Sequence, residues 1–63
     1  MNWISLKNFN DLPKKASFLI WEKKQEEWLE VSVIEGSIIC HFFNDDIEIP
    51  LENVSHYCVP RKP

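Results

Sequence analysis

Four residues in this chain of 63 are of types that bind transition metals: Cys40, His41, His56 and Cys58. Their spacing works against a shared site. Cys40 and His41 are neighbours in a run with strand character, so their side chains point to opposite faces and only one of them can join His56 and Cys58. A three-ligand site would require the strands carrying residues 37–43 and 55–59 to approach one another, and the close Cys-x2-Cys knuckle of structural zinc sites is missing. Cys40 reads more simply as a small core hydrophobe, and neither a metal nor another cofactor is expected. Nucleophilic catalysis needs a nucleophile, a base and a group that orients the base, in a pocket that excludes water. The pool here is two histidines, two thiols and scattered carboxylates. A domain this small fills its interior with its own side chains, whereas ligand pockets run to about 300 Å³ or more, so an enzyme is not expected. With one glycine in the chain, a glycine-rich phosphate loop is excluded.

The residues suited to recognising a partner are aromatic. Across residues 28–34 the alternation sets Leu29, Val31 and Val33 on one face and Trp28, Glu30, Ser32 and Ile34 on the other. Trp28 is then either exposed or held under the N-terminal arm against Trp3. In the exposed case Trp28, Tyr57 and Trp21 form a shallow aromatic surface bordered by Glu30 and His56, the composition of a binding hot spot. Acidic residues gather near the turns, with Glu22, Glu26, Glu27 and Glu30 around the first hairpin and Asp45, Asp46 and Glu48 further on. They are either a solvated polar face or a patch that docks on a basic partner or imitates nucleic-acid phosphate.

These residues must be positioned by short strands. Residues 1–12 place Trp3, Ile4, Leu6 and Phe9 among polar groups before Pro13, which predicts an extended arm or short strand and then a loop to residue 16. Residues 17–22 hold the β-branched and aromatic run Phe18-Leu19-Ile20-Trp21, a strand that is apolar on both faces. Residues 23–27 connect it to the alternating strand 28–34. Glu35-Gly36 supplies a two-residue hairpin turn, with the glycine where positive φ is needed, leading into residues 37–43. Asn44-Asp45-Asp46 marks another turn, and Ile47-Glu48-Ile49 alternates until Pro50 ends the ladder. Leu51 to Val54 read as a single helical turn, residues 55–59 as a last strand and residues 60–63 as a frayed basic tail.

The economical packing of these pieces is all-β: a small antiparallel SH3-like barrel of four or five short strands, with one short helical turn before the last. Its expected core is Leu29, Val31, Val33, Ile47, Ile49, Leu51 and Val54. The alternative is an open, twisted antiparallel sheet that pairs with a second copy as a homodimer. Its motive is that residues 18–21 and 38–43 are apolar on both faces, and a surplus face must be covered. The arm with Trp3 offers a cover within one chain.

Length and composition bound the function. The chain has room for one domain, residues 1–63. Apolar residues make up 44% and charged residues 27%, which suits neither a disordered tail nor a membrane span. Seven Lys and Arg against ten Asp and Glu give a net charge of −3, the wrong sign for tracking phosphate, so nucleic acid is a disfavoured partner. The basic residues fall in short clusters, Lys14-Lys15, Lys23-Lys24 and Arg61-Lys62. A nucleic-acid binder would stack bases on Trp28, Tyr57 and Phe43 and hold phosphates with Lys14, Lys15, Lys23 and Lys24. Two cysteines and no apolar signal segment at the N-terminus point to a reducing cytoplasm with both thiols free, a Cys40–Cys58 disulfide being the alternative.

The two ends are informative together: Trp3-Ile4-Ser5 and Leu12-Pro13 at one, and Val54-Ser55-His56-Tyr57 with Pro60 at the other. Between them one apolar strand ends at Trp21 and the next opens at Trp28. In this layout the chain resembles a family of small phage and prophage proteins of unknown function, which open on Trp-Ile-Ser with a following Leu-Pro and close on a His-aromatic pair leading into prolines. Tyr57 stands where that family carries tryptophan, and the glycine-rich turns of the family are missing. The resemblance implies an origin rather than an activity: an accessory protein of the bacterial cytoplasm that binds and modulates host machinery. The expectation is therefore a non-enzymatic module binding a host protein through Trp28, Glu30, Tyr57, His56 and Trp21. A nucleic-acid binder and a self-associating structural protein are the alternatives.

Overall fold

A computed structural model describes residues 2–42 and 45–59. Six antiparallel strands form one sheet: β1 (Ile4–Ser5), β2 (Phe18–Glu22), β3 (Glu27–Ile34), β4 (Ser37–Phe42), β5 (Asp45–Ile49) and β6 (Val54–Cys58). Their order is β1-β6-β2-β3-β4-β5, so β2 to β5 run as a meander and β6 returns to lie beside β2. The protein is all-β, and its only helical pieces among the described residues are two 3-10 turns, Phe9–Asp11 and Leu51–Asn53. The second precedes the last strand, where the sequence places a single helical turn. The hydrogen-bonded ladder is open, with β1 and β5 at its ends.

With no helix layer to cover it, a flat sheet of this width would leave its apolar face in water; this one curls around a single core. Leu12, Phe18, Ile20, Val31, Ile38, Cys40 and Val54 form one buried cluster drawn from β2, β3, β4, β6 and the N-terminal segment. Leu12 is 2% exposed because the first 3-10 turn aims it there. Asn8 caps that turn, its side chain accepting from the Asn10 N–H at 3.0 Å, and the Leu12 N–H closes it onto the Phe9 carbonyl.

The hairpins follow from local chemistry. Glu35 and Gly36 both have positive φ, 51° and 79°, the signature of the type I′ turn whose twist suits a two-residue hairpin. The β2–β3 loop is held by Glu22, which is 4% exposed. Its carboxylate accepts from the Lys24 N–H at 2.6 Å and the Gln25 N–H at 3.3 Å. The Lys23 N–H donates to the Asn53 carbonyl at 2.8 Å and ties this hairpin to the second 3-10 turn. Hydrogen bonds from backbone to a charged acceptor contribute about 1.5–3 kcal/mol, so Glu22→Gln is expected to lower stability by about 1.5 kcal/mol in a urea titration. An unchanged midpoint would show that the loop holds itself.

Three expectations change. Ile47 and Leu51, expected in the core, are 46% and 44% exposed. Ile47 stands opposite Cys40 on the core face, but β5 is the last strand of the ladder and no described strand flanks it on its far side. Leu51 lies on the second 3-10 turn, and its neighbour Val54 is the residue that enters the core. Asp45 and Asp46, read as turn, already belong to β5. The remainder of that turn, Phe43, the tail at residues 60–63 and the side chain of Phe42 lie outside the described residues.

Candidate functional site

Strand register builds the site. Ser5 on β1 pairs with His56 on β6, His56 with Trp21 on β2, and Trp21 with Trp28 on β3. Paired residues share a face, so these side chains form one row across four strands, on the side opposite the Phe18–Ile20 core face. A register shift at Trp21/Glu22 admits Ser55 beside the row, and the Ser55 hydroxyl lies 3.0 Å from His56 Nδ1. Trp3, just ahead of β1, completes a groove of about 350 Å³ lined by Trp3, Trp21, Ser55 and His56. Trp28 stands at the other end of the row, 60% exposed. All three tryptophans of the chain are thus on the outer face.

Of the residues the sequence nominated, Trp28, Trp21 and His56 are brought together in that row. Glu30 is on the same face one alternation further along β3, opposite Leu19. Tyr57 is not there: it pairs with Ile20 and Ile4, and the alternation on β6 turns it to the core face, where it packs half-buried against the cluster. The arm does not cover Trp28. It joins the sheet as β1 beside β6, with β6 and β2 between it and β3, and so brings Trp3 to Trp21 instead. The contribution of Trp3 could not be read from the chain without the β1–β6 register.

The charged strand residues described on this face are of one sign. Alternation on β3 and β5 places Glu30, Asp46 and Glu48 outward. The described lysines, Lys7, Lys14, Lys15, Lys23 and Lys24, all sit in loops and turns outside the strands. One is engaged, the Lys14 ammonium lying 4.8 Å from the centre of the Phe9 ring.

Further along the same face a second cluster emerges that the sequence reading missed. His41 Nδ1 lies 2.6 Å from the Asp46 carboxylate, and His41 Nε2 lies 3.3 Å from the Ser32 hydroxyl. With Nδ1 donating to Asp46, a neutral imidazole leaves Nε2 to accept from Ser32. The order serine, histidine, aspartate is that of a hydrolase relay, but His41 and Asp46 are 52% and 66% exposed. None of the three lines the 350 Å³ groove. Water-flooded, the trio acts as a cross-strand tie between β3, β4 and β5. Outward alternation of Ser32, His41 and Asp46 was the available signal, hidden because Asp46 reads as a turn residue.

The thiols stay apart. Cys40 and Cys58 are free and buried, and β4 and β6 are separated by β2 and β3. The three-ligand metal geometry is therefore not assembled, and no group of three metal-ligating side chains occurs among the described residues. Burial, reinforced by the charges of Glu27 and Glu30, pushes the Cys40 thiol above its ordinary pKa. A raised thiol pKa means that the folded state holds its proton where the unfolded chain releases it. Stability from this source is intact below the ordinary cysteine range and falls as pH rises through it. Thermal melts should accordingly weaken above about pH 8.5, and Cys40→Ser should flatten that alkaline decline; an unaltered alkaline slope would contradict it.

A second groove, about 210 Å³, opens on the core face at the β5 edge, between Leu29, Cys40, Ile47 and Ile49 and the carboxylates of Glu22 and Glu27. Antiparallel pairing of β5 with a second copy would set Asp45, Asp46 and Glu48 against like charges, which opposes that edge as a self-association surface. No described helix is long and apolar enough to cross a membrane.

No family model matches the chain, and neither a curated protein nor a solved structure matches it. The functional reading accordingly stands on the chain's own surface.

Proposed function

We propose that the protein is a non-enzymatic protein-binding module that seats a partner on its outer aromatic face. In keeping with the resemblance of its two ends, it is read as a phage or prophage accessory protein acting on host machinery in a bacterial cytoplasm. The observation that carries the reading is the row His56–Trp21–Trp28, with Trp28 60% exposed. A domain of this length needs its large apolar side chains for its core, yet directs all three tryptophans to the outer face, Trp3 and Trp28 exposed and Trp21 half-buried between them, where they form a contiguous surface. Exposed tryptophans clustered with a neighbouring carboxylate are the anchor chemistry of protein interfaces.

Nucleic-acid binding draws less support. The outer strands carry carboxylates beside the tryptophans and no lysine, so a phosphate backbone would be repelled where bases would stack.

The test is capture from a nuclease-treated bacterial lysate by the tagged wild-type protein and by Trp28→Ala. Retention of a host protein by the wild type and its loss with the variant supports the reading. Material that disappears with nuclease instead supports a nucleic-acid surface.

A further inference from the structure

We infer that the outer face recognises arginine side chains on its partner, a deepening that rests on the protein-binding reading above. The first ground is charge. The outward strand residues that carry formal charge are Glu30, Asp46 and Glu48, and every described lysine is confined to loops and turns. Among the described strand residues that point outward, a partner therefore meets carboxylates and no cation.

The second ground is pairing. Asp46 is engaged by His41 at 2.6 Å, whereas Glu30 makes no ion pair among the described residues. Glu30 follows Trp28 by two positions on β3, on the same face, so the two are about 7 Å apart along the strand. A guanidinium stacked on an indole sits within about 6 Å of the ring centre. A cation lying flat on Trp28 therefore reaches the Glu30 carboxylate without leaving the ring. Arginine suits this pair better than lysine, because its planar, weakly hydrated head stacks on aromatic faces and can donate two parallel hydrogen bonds to one carboxylate.

The third ground is shape. Trp21 stands beside Trp28 and forms one wall of the 350 Å³ groove shared with Trp3 and His56. The groove offers apolar surface for the methylene stem of a long basic side chain, or for an apolar residue next to it in the partner.

The experiment titrates the full 63-residue protein with a flexible Gly/Ser peptide bearing spaced arginines, following tryptophan fluorescence. The control is the same peptide with citrulline at each arginine, which keeps the planar shape, removes the charge and exchanges one donor NH2 group for an acceptor carbonyl oxygen. The expected result is saturable quenching by the arginine peptide, with the citrulline peptide about tenfold weaker or worse. Glu30→Gln should weaken the arginine peptide about fivefold and leave the citrulline peptide unchanged, since only the ion pair is removed. Equal binding of the two peptides, or no response to either, overturns the inference. The lysate capture separates this failure from failure of the parent reading. A host protein lost with Trp28→Ala, but retained by Glu30→Gln and undisturbed by excess arginine peptide, leaves a protein-binding face that does not read arginine. Identical capture by the wild type and Trp28→Ala removes the face itself.

Discussion

Phe18→Ala should abolish most of the protein's stability. Phe18 has 0% of its surface exposed, stands opposite Val31 in the β2–β3 ladder and belongs to the single core cluster. Truncating a buried phenylalanine costs about 3–5 kcal/mol, the lost transfer energy plus the cavity left behind. Domains hold about 0.05–0.15 kcal/mol per residue, which for a chain of this length is about 3–9 kcal/mol in total. Beyond the sheet, only Leu12 and the half-buried Leu6 and Phe9 of the N-terminal segment pack on the described cluster, too little to close over the cavity. Far-ultraviolet circular dichroism during urea titration should show the variant largely unfolded at low denaturant. A loss below about 1 kcal/mol would mean that Phe18 is not in the core.

Trp28→Ala should do the reverse, removing binding while sparing the fold. Trp28 is 60% exposed, and what the fold loses is mainly its cross-strand contact with Trp21. Such pairs contribute about 0.5–1 kcal/mol, a shift of a few degrees in Tm for a domain of this size. A hot-spot tryptophan contributes about 2 kcal/mol or more to an interface, which is about thirtyfold in affinity. Affinity for the captured partner and thermal unfolding should therefore separate cleanly in this variant. A loss of 3 kcal/mol or more in stability, about that of a buried side chain, would place Trp28 in the core and remove it from the surface.

Local chemistry made much of this arrangement legible in the chain. The alternation of residues 28–34 correctly separates Val31 from Trp28 and Glu30, because a strand beside polar solvent has to segregate its two faces. Gly36 announced its hairpin through the one backbone conformation that favours it. Residues 18–21 were harder. Phe18 and Ile20 face the core cluster and Leu19 and Trp21 the other side, where Leu19 is nevertheless buried; all four are apolar, and period alone cannot say which pair enters the cluster. Ile47 kept its predicted face but not its burial, since burial depends on β5 being an edge, which is a property of the whole sheet. The same holds for the functional face. Trp21, Trp28 and His56 could be nominated individually, but their alignment with Trp3 depends on β6 inserting between β1 and β2, a pairing of distant segments with no local signature. Tyr57 was misplaced for a related reason: the register shift at Trp21/Glu22 and the position of β6 decide which of His56 and Tyr57 faces outward.

Whether the outer face is where partners bind is tested most directly by nuclear magnetic resonance on the ¹⁵N-labelled protein, in buffer and then with small additions of nuclease-treated bacterial lysate. The indole N–H signals of Trp3, Trp21 and Trp28 report the face, and the backbone amides of Val31 and Ile38 report the core. Binding on the outer face predicts that the indole signals, together with the amides of Glu30 and His56, shift or broaden first while Val31 and Ile38 hold their positions. Indole signals that stay unchanged while amides along β5 move, or a spectrum identical to that in buffer, would contradict it.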